Sequence, residues 1–352
     1  MYRKIPYTDA EKQVVGYRPS MMGIGNDTPI YNTPVTCRAN FDAMFDERHP
    51  YWMPSIRETA SAQLTLYNNT LGRGSRADVT DIFGIRWRFV PDAGGSIVEP
   101  GAPVLDDVNN WRKIIKIPDV DSWDWENAVK EKPIDMRFPA QFTFVNGFWF
   151  ERLISFMDFM PAAMALIDDE QTDAVKELFA AMTELGCRVV DKLCEYMPGL
   201  DLIEIHDDWG AQKAPFFSMD VAYELFVPYM KRITDHIHAK GRRTLLHSCG
   251  HTADRVQCYI DGGFDLWQPQ AMNEIEYLYD NYGDKILLAV FPEETDIPER
   301  PEEEQRELAR AFVDRFCQPG KPSLMGMVAF RRGTPAYFDE VYEYSRKKYL
   351  AE

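Results

Sequence analysis

From about residue 51 onward, short apolar runs alternate with longer amphipathic stretches, and this alternation constrains the fold more than any other feature. The short runs are Tyr51–Ser55, Asp81–Trp87, Gln141–Asn146, Leu202–His206, Thr244–Cys249, Phe264–Gln268, Ile286–Phe291 and Leu324–Phe330. In 172–197, Val175, Leu178, Phe179, Met182, Leu185, Val189, Leu193 and Met197 recur at three- and four-residue steps and make one helical apolar face. A second such face runs through 219–240 on Leu225, Phe226, Met230, Ile233 and Ile237, and Gly241 stands where a helix end favours glycine. Continuous apolar strands alternating with helices predict a parallel sheet covered by helices. Eight candidate strands favour a closed (β/α)8 TIM barrel over an open doubly wound sheet. No Gly-x-Gly-x-x-Gly turn follows any strand, which weighs further against the open dinucleotide-binding fold.

The 352 residues suit a single TIM-barrel domain, 1–352, with an N-terminal extension over 1–50 and the barrel over 51–352. Pro6, Pro19, Pro29 and Pro34 break any long helix in the extension, which either covers the barrel mouth or builds a homodimer contact. An insertion after the second strand, about 90–132, carries a short hairpin or helix that Trp111, Trp123 and Trp125 pin to the body. A net charge of −17 argues against nucleic acid and anionic membranes, which reward basic surfaces. No apolar run approaches the roughly 18 residues of a membrane span, and the first residues lack the apolar stretch of a signal peptide. The expected location is the cytoplasm, with the six scattered cysteines as thiols.

Loops after the strands build the active site of such a barrel, and here polar residues gather at those exits. The third strand ends at Asn146, the fourth at His206, Asp207, Asp208 and Trp209, and the fifth at His247, Ser248, Cys249 and Gly250. Gln268 and Gln270 follow the sixth, and Glu293 and Glu294 the seventh. His247 and Cys249, two apart on a strand, point to the same side and offer two donors that zinc favours. A hydrogen-bonded His beside a small buried Cys would look the same from the tripeptide alone. Gly250 leaves room for close approach of a ligand or backbone. Asp207 and Asp208 point to different sides, so one can cap a helix while the other anchors substrate, binds metal or acts as a base. His206 faces opposite to Asp207 and is expected to pack between barrel and helix. His236 and His238 are expected on a helix surface near its C-terminus.

Four blocks in order carry a family resemblance: Asp207–Gln212, Phe226–Lys231, Leu246–Gly250 and Gly262–Gln270. Together they resemble the uroporphyrinogen decarboxylase superfamily, over about residue 81 to the C-terminus and most densely over 201–270. The Arg-Gln-Ala-Gly-Arg segment of the decarboxylases has no counterpart here, and the resemblance therefore points to the branch of methyltransferases that work with corrinoid proteins. That branch places zinc on a His-x-Cys pair, which His247 and Cys249 match. Its further Cys near the last strand is missing from Ser323–Phe330, leaving Cys317, Glu293 and Asp208 as third-ligand candidates. The stretch Asp81–Trp87, with Trp111, Pro118 and Trp123–Trp125, is similar to members that begin O-demethylation of methoxylated compounds.

The resemblance implies a methyltransferase that moves a methyl group from an aryl methyl ether to cobalt(I) of a partner corrinoid protein. Zinc on His247 and Cys249, or His247 as an acid, would activate the ether oxygen. Asp207, Asp208 and His247 are the expected catalytic residues, and Asn146, Trp209, Gln268 and Gln270 the expected substrate contacts. Two alternatives stand beside it: transfer from a methylated corrinoid protein to a thiol or tetrahydrofolate, and a non-catalytic barrel that binds a small molecule.

Overall fold

The computed structural model describes residues 3–18, 28–74, 77–91 and 95–351. The described strands are β1 (Val14–Arg18), β2 (Thr28–Tyr31), β3 (Ala60–Ser61), β4 (Val79–Thr80), β5 (Arg86–Val90) and β6 (Gly95–Val98). They continue with β7 (Ala140–Phe144), β8 (Leu200–His206), β9 (Arg243–His247), β10 (Leu266–Gln268), β11 (Leu287–Val290) and β12 (Leu324–Met325). From β7 onward helices separate the strands, and the fold is α/β and TIM-barrel-like, as the alternation predicts. The chain divides into two compact units, one of Met1–Ser61, Asp135–Ala140 and Leu266–Glu352, the other of Ala62–Ile134 and Gln141–Asp265.

In the second unit β7, β8 and β9 are neighbours, and β8 runs parallel to β9 with Ile205 opposite Leu246 and His206 opposite His247. Strand alternation sorts β7 into two faces. Phe142 and Phe144 are fully buried and pack edge-on against Tyr67, whereas Gln141 and Thr143 donate to the Glu204 carboxylate, each at 2.7 Å. The helix Thr172–Tyr196 buries the expected face, from Val175 through Leu193. The expected 219–240 helix is two, Met219–Leu225 and Val227–Ala239, because Pro228 has no N–H for the carbonyl of Glu224. Gly241 follows with φ +68°, the left-handed conformation that suits glycine past a helix end.

Asp81–Trp87 is not a barrel strand. The Asp81 carboxylate accepts the N–H groups of Phe83 and Ile85 and the Trp87 indole, which folds 81–85 into a tight turn between β4 and β5. β4, β5 and β6 form an antiparallel meander that opens the insertion. Two short helices follow, Trp111–Ile114 and Trp125–Lys130. Trp111 and Trp125 are buried, and Trp123 stacks on Trp125.

In the first unit β10, β11 and β12 are parallel neighbours. Tyr51–Ser55 contributes only a single parallel bridge, Ser55 to Met325, in place of the expected strand. The expected strand Leu324–Phe330 ends after two residues, and Met327–Arg332 turns helical. The N-terminal segment is tied to the final helix, Pro335–Ala351. There Arg346, fully buried, donates to the Glu11 carboxylate (Nε to Oε2, 3.1 Å) and to the carbonyl of Ile5. No helix among the described residues is long and apolar enough to cross a membrane.

Removing one partner of a buried ion pair leaves the other charge uncompensated. Glu11→Ala is therefore expected to destabilise the protein by about 3–5 kcal/mol in urea unfolding. Lys12→Ala, which breaks the exposed pair between Lys12 and Glu343, is expected to cost less than about 1 kcal/mol. Equal costs for the two would contradict this account of the N-terminal anchor.

Candidate metal centre

Parallel pairing of β8 with β9 brings the two strand exits side by side. Directly paired residues of parallel neighbours share a face, and the rings of His206 and His247 stack with centroids 4.6 Å apart. One step further, Asp208 Oδ1 accepts the backbone N–H of Cys249 at 2.7 Å, and His247 Nε2 lies 3.3 Å from Cys249 Sγ. His206, Asp208, His247 and Cys249 thus form a half-buried group whose donor atoms all lie within 4.8 Å of one another.

The surroundings hold this group in place. Glu151, on the helix Phe150–Met157, sets a carboxylate oxygen 2.7 Å from His206 Nδ1, and Arg73 forms an ion pair with the same carboxylate. Arg73 also donates to Asn146 Oδ1 at 3.1 Å, and Asn146 donates to Ser155. Asp207 faces away from the group. It accepts the N–H groups of Phe150 and Glu151 at the first turn of that helix, and the Trp209 indole at 2.7 Å. It acts as a cap supplied from a distant part of the chain, satisfying N–H groups that a helix start leaves unpaired. Gly250 has φ +92°, and a Cβ there would lie 2.2 Å from the backbone of Gly210, so the loop after β9 closes only on glycine.

The electrostatics suit a cation. Burial, and then the neighbouring His206, push the His247 imidazole down to about 4, and burial also lowers His206. Both rings are accordingly neutral near pH 7, the form in which a ring nitrogen can donate a lone pair. Burial and then Asp208 push the Cys249 thiol up, a cost that a bound cation relieves by holding the thiolate. Burial works against the charge on Asp208, but His206, His247 and the Cys249 N–H outweigh it and hold the carboxyl below its usual range. Asp207, by contrast, is pushed up to about 7 by burial. His247 Nδ1 is buried without a hydrogen-bond partner, whereas His206 carries the outer carboxylate common behind metal-bound histidines. Two nitrogens, a carboxylate and a thiol are a donor set that fits zinc.

Of the expected site residues, the structure gathers His247, Cys249 and Asp208, and Asn146 is linked to the group through Arg73, Glu151 and His206. The group contains neither Cys317 nor Glu293. Cys317 is fully buried at the end of the helix Glu302–Phe316, and Glu293 follows β11 in the other unit. Trp209 also departs from expectation: it has no accessible surface and packs on Phe217, Phe226 and Tyr259. Gln268 ends β10 and the backbone carbonyl of Gln270 accepts from the backbone and side-chain N–H groups of Asn273, both in the first unit. His206, read as packing behind the sheet, instead faces His247. The signal was present in the alternation Glu204, His206, Asp208, which puts all three on one face. Arg73 and Glu151 carried no comparable signal, since they reach the group from a loop and a helix far apart in sequence.

No protein-family model matches the chain, and no curated protein matches it. Among solved structures it is similar to a methyltransferase from Methanosarcina mazei. The TM-score is 0.52 at 16% identity, over 89% of this chain and 85% of that one. A D-psicose 3-epimerase solved with D-fructose aligns with a TM-score of 0.28 at 12% identity, over 64% and 90% of the two chains. The first likeness establishes the TIM-barrel-like fold, and the second is too weak to add to it.

Two substitutions separate the scaffold from the donors. Gly250→Ala is expected to destabilise the protein by about 2 kcal/mol or more, read by urea unfolding, because a side chain is strained at that φ and collides with Gly210. Glu151→Gln is expected to leave the fold intact and weaken zinc binding by about 10–100-fold in a chelator competition. Unchanged zinc affinity would remove Glu151 from the role of orienting His206.

Proposed function

We propose that the protein is a methyltransferase that takes a methyl group from an aryl methyl ether and passes it to cobalt(I) of a corrinoid carried by a partner protein. The observation that carries the reading is the convergence of His206, Asp208, His247 and Cys249 at adjoining strand exits, on a fold similar to that of a methyltransferase. The sequence resemblance to corrinoid-dependent O-demethylation enzymes supplies the direction of transfer and the class of substrate.

In this reading His247 and Cys249, together with His206 or Asp208, would hold zinc. Zinc, when bound, supplies a Lewis acid for the ether oxygen, whose departure as phenoxide is the difficult part of the reaction. Methyl transfer breaks the carbon–oxygen bond and forms a bond from carbon to the acceptor cobalt, and the phenoxide then takes a proton from water. Glu151 fixes the ring of His206, and Arg73 fixes Glu151. Asp207 acts as a positioning residue, because its carboxylate is committed to the helix start and to Trp209. Asp208 orients Cys249 through its backbone N–H.

The test is methyl transfer from methoxybenzoates to cobalt(I) cobalamin or a corrinoid protein, followed by loss of cobalt(I) absorbance. His247→Ala and Cys249→Ala are expected to lower the rate by about 100-fold or more, the scale for losing electrostatic stabilisation of a leaving oxygen. Chelation should abolish turnover and added zinc restore it. Turnover indifferent to chelation and to both substitutions would overturn the role of the metal. No transfer from any methoxyarene, with zinc bound, would overturn the substrate class.

A further inference from the structure

A cavity of about 590 Å³ lies wholly within the first unit and contains none of the four metal-cluster residues. Trp52, Phe330, Phe338 and Tyr342 give it ring-bearing walls. Against these stand, among the described residues, four cationic side chains, Lys12, Arg18, Arg57 and Arg137, and two carboxyl groups, Glu58 and Asp339. In a chain of net charge −17 this is a local reversal of sign, and apolar walls focus such a field.

Two of the cations are satisfied by the fold. Lys12 pairs with Glu343 and Arg137 with Asp135, each at 2.6 Å. The other two form no close ion pair with a described residue, although Arg18 lies within the field of Glu58 and Asp135. Arg18 gives one N–H to the carbonyl of Thr59 at 2.7 Å and lays its guanidinium 4.4 Å from the centroid of the Phe138 ring. The Arg57 guanidinium lies 4.0 Å from the centroid of Phe330 and has no hydrogen bond or ion pair to a described residue. A guanidinium held over a ring face, with its fork unpaired, is preorganised to grip a carboxylate in two parallel hydrogen bonds. The carboxyl groups in the wall limit the charge of the guest. Glu58 accepts the Trp52 indole at 2.9 Å and the Ser55 N–H at 3.0 Å, and burial pushes it up to about 7. Asp339 is also raised by burial. A dianion would face both as they ionise, whereas a single negative charge meets the open fork of Arg57 and the remaining N–H groups of Arg18.

We propose that this cavity is a binding site for a monocarboxylate borne on an aromatic or fused-ring body, with Arg57 gripping the carboxylate, Arg18 as the second cation, and the body lying among Phe330, Phe338 and Trp52. The volume falls in the range of small-molecule sites. The assignment stands apart from the methyltransferase reading and does not depend on it.

The experiment is calorimetric titration of the full chain with 2-naphthoate, beside the neutral 2-naphthalenemethanol and inorganic phosphate. The expected result is saturable 1:1 binding of 2-naphthoate, with the alcohol at least tenfold weaker and phosphate unable to compete. Arg57→Gln should lower the affinity at least tenfold and Arg57→Lys by less. Cys249→Ala should leave it unchanged. Arg18→Gln, expected to weaken binding in the same sense, is the second variant should Arg57→Gln alter the thermal unfolding profile. The proposal is overturned if 2-naphthoate does not bind saturably, if the alcohol binds as tightly as the acid, if both arginine variants bind like the parent, or if binding is lost in Cys249→Ala.

Discussion

The parallel register of β8 against β9 is the constraint on which the rest of the centre depends. With His206 opposite His247, the alternation of each strand puts Glu204, His206 and Asp208 on the same face as His247 and Cys249. A slip of one residue would turn the histidines to opposite faces and disperse the donors. The register is held by what lies behind it. Ile203, Ile205 and Leu246 are fully buried on the opposite face, so the strands cannot shift without exposing their apolar side. Burial of the strands and convergence of the donors are therefore consequences of one arrangement.

The adjacent aspartates show how the site is kept in place. Asp207 and Asp208 point to opposite sides, and each does what its side offers. Asp207 is buried with three donors and anchors the start of the helix that carries Glu151. Asp208 stays among the donors and takes the N–H of Cys249. The helix anchored by Asp207 returns Glu151 to His206, and Arg73 closes the path by pairing with Glu151. The chain thus surrounds the donors with carboxylates and a guanidinium drawn from three separate segments, and two neutral histidines and a proton-holding thiol lie at the centre. A divalent cation is the simplest partner for that combination.

Much of this was legible in the sequence. The barrel class followed from the alternation of runs, and the pair His247 and Cys249 followed from strand spacing. The errors have local causes. Asp81–Trp87 reads as a strand by hydrophobicity, but the Asp81 carboxylate captures three donors and bends it into a turn. Leu324–Phe330 is apolar enough for a strand, yet the chain turns helical after Gly326. Trp209 sits beside polar neighbours in sequence, but its ring enters an aromatic core that only the tertiary fold assembles. Arg73 and Glu151 lay beyond reach because no periodicity links a loop residue to a helix residue 78 positions away. The absent last-strand cysteine leaves Cys317, Glu293 and Asp208 as sequence candidates for the third ligand, and of these the structure gathers Asp208; His206 is the addition that parity along β8 also offers.

The most direct test of the account is zinc K-edge X-ray absorption on the purified protein and its Cys249→Ala variant. The account predicts near-stoichiometric zinc with one sulfur neighbour at about 2.3 Å, nitrogen and oxygen neighbours at about 2.0–2.1 Å, and loss of the sulfur in the variant. Zinc-free protein after preparation in zinc-replete medium, or zinc bound without a sulfur neighbour, would contradict it.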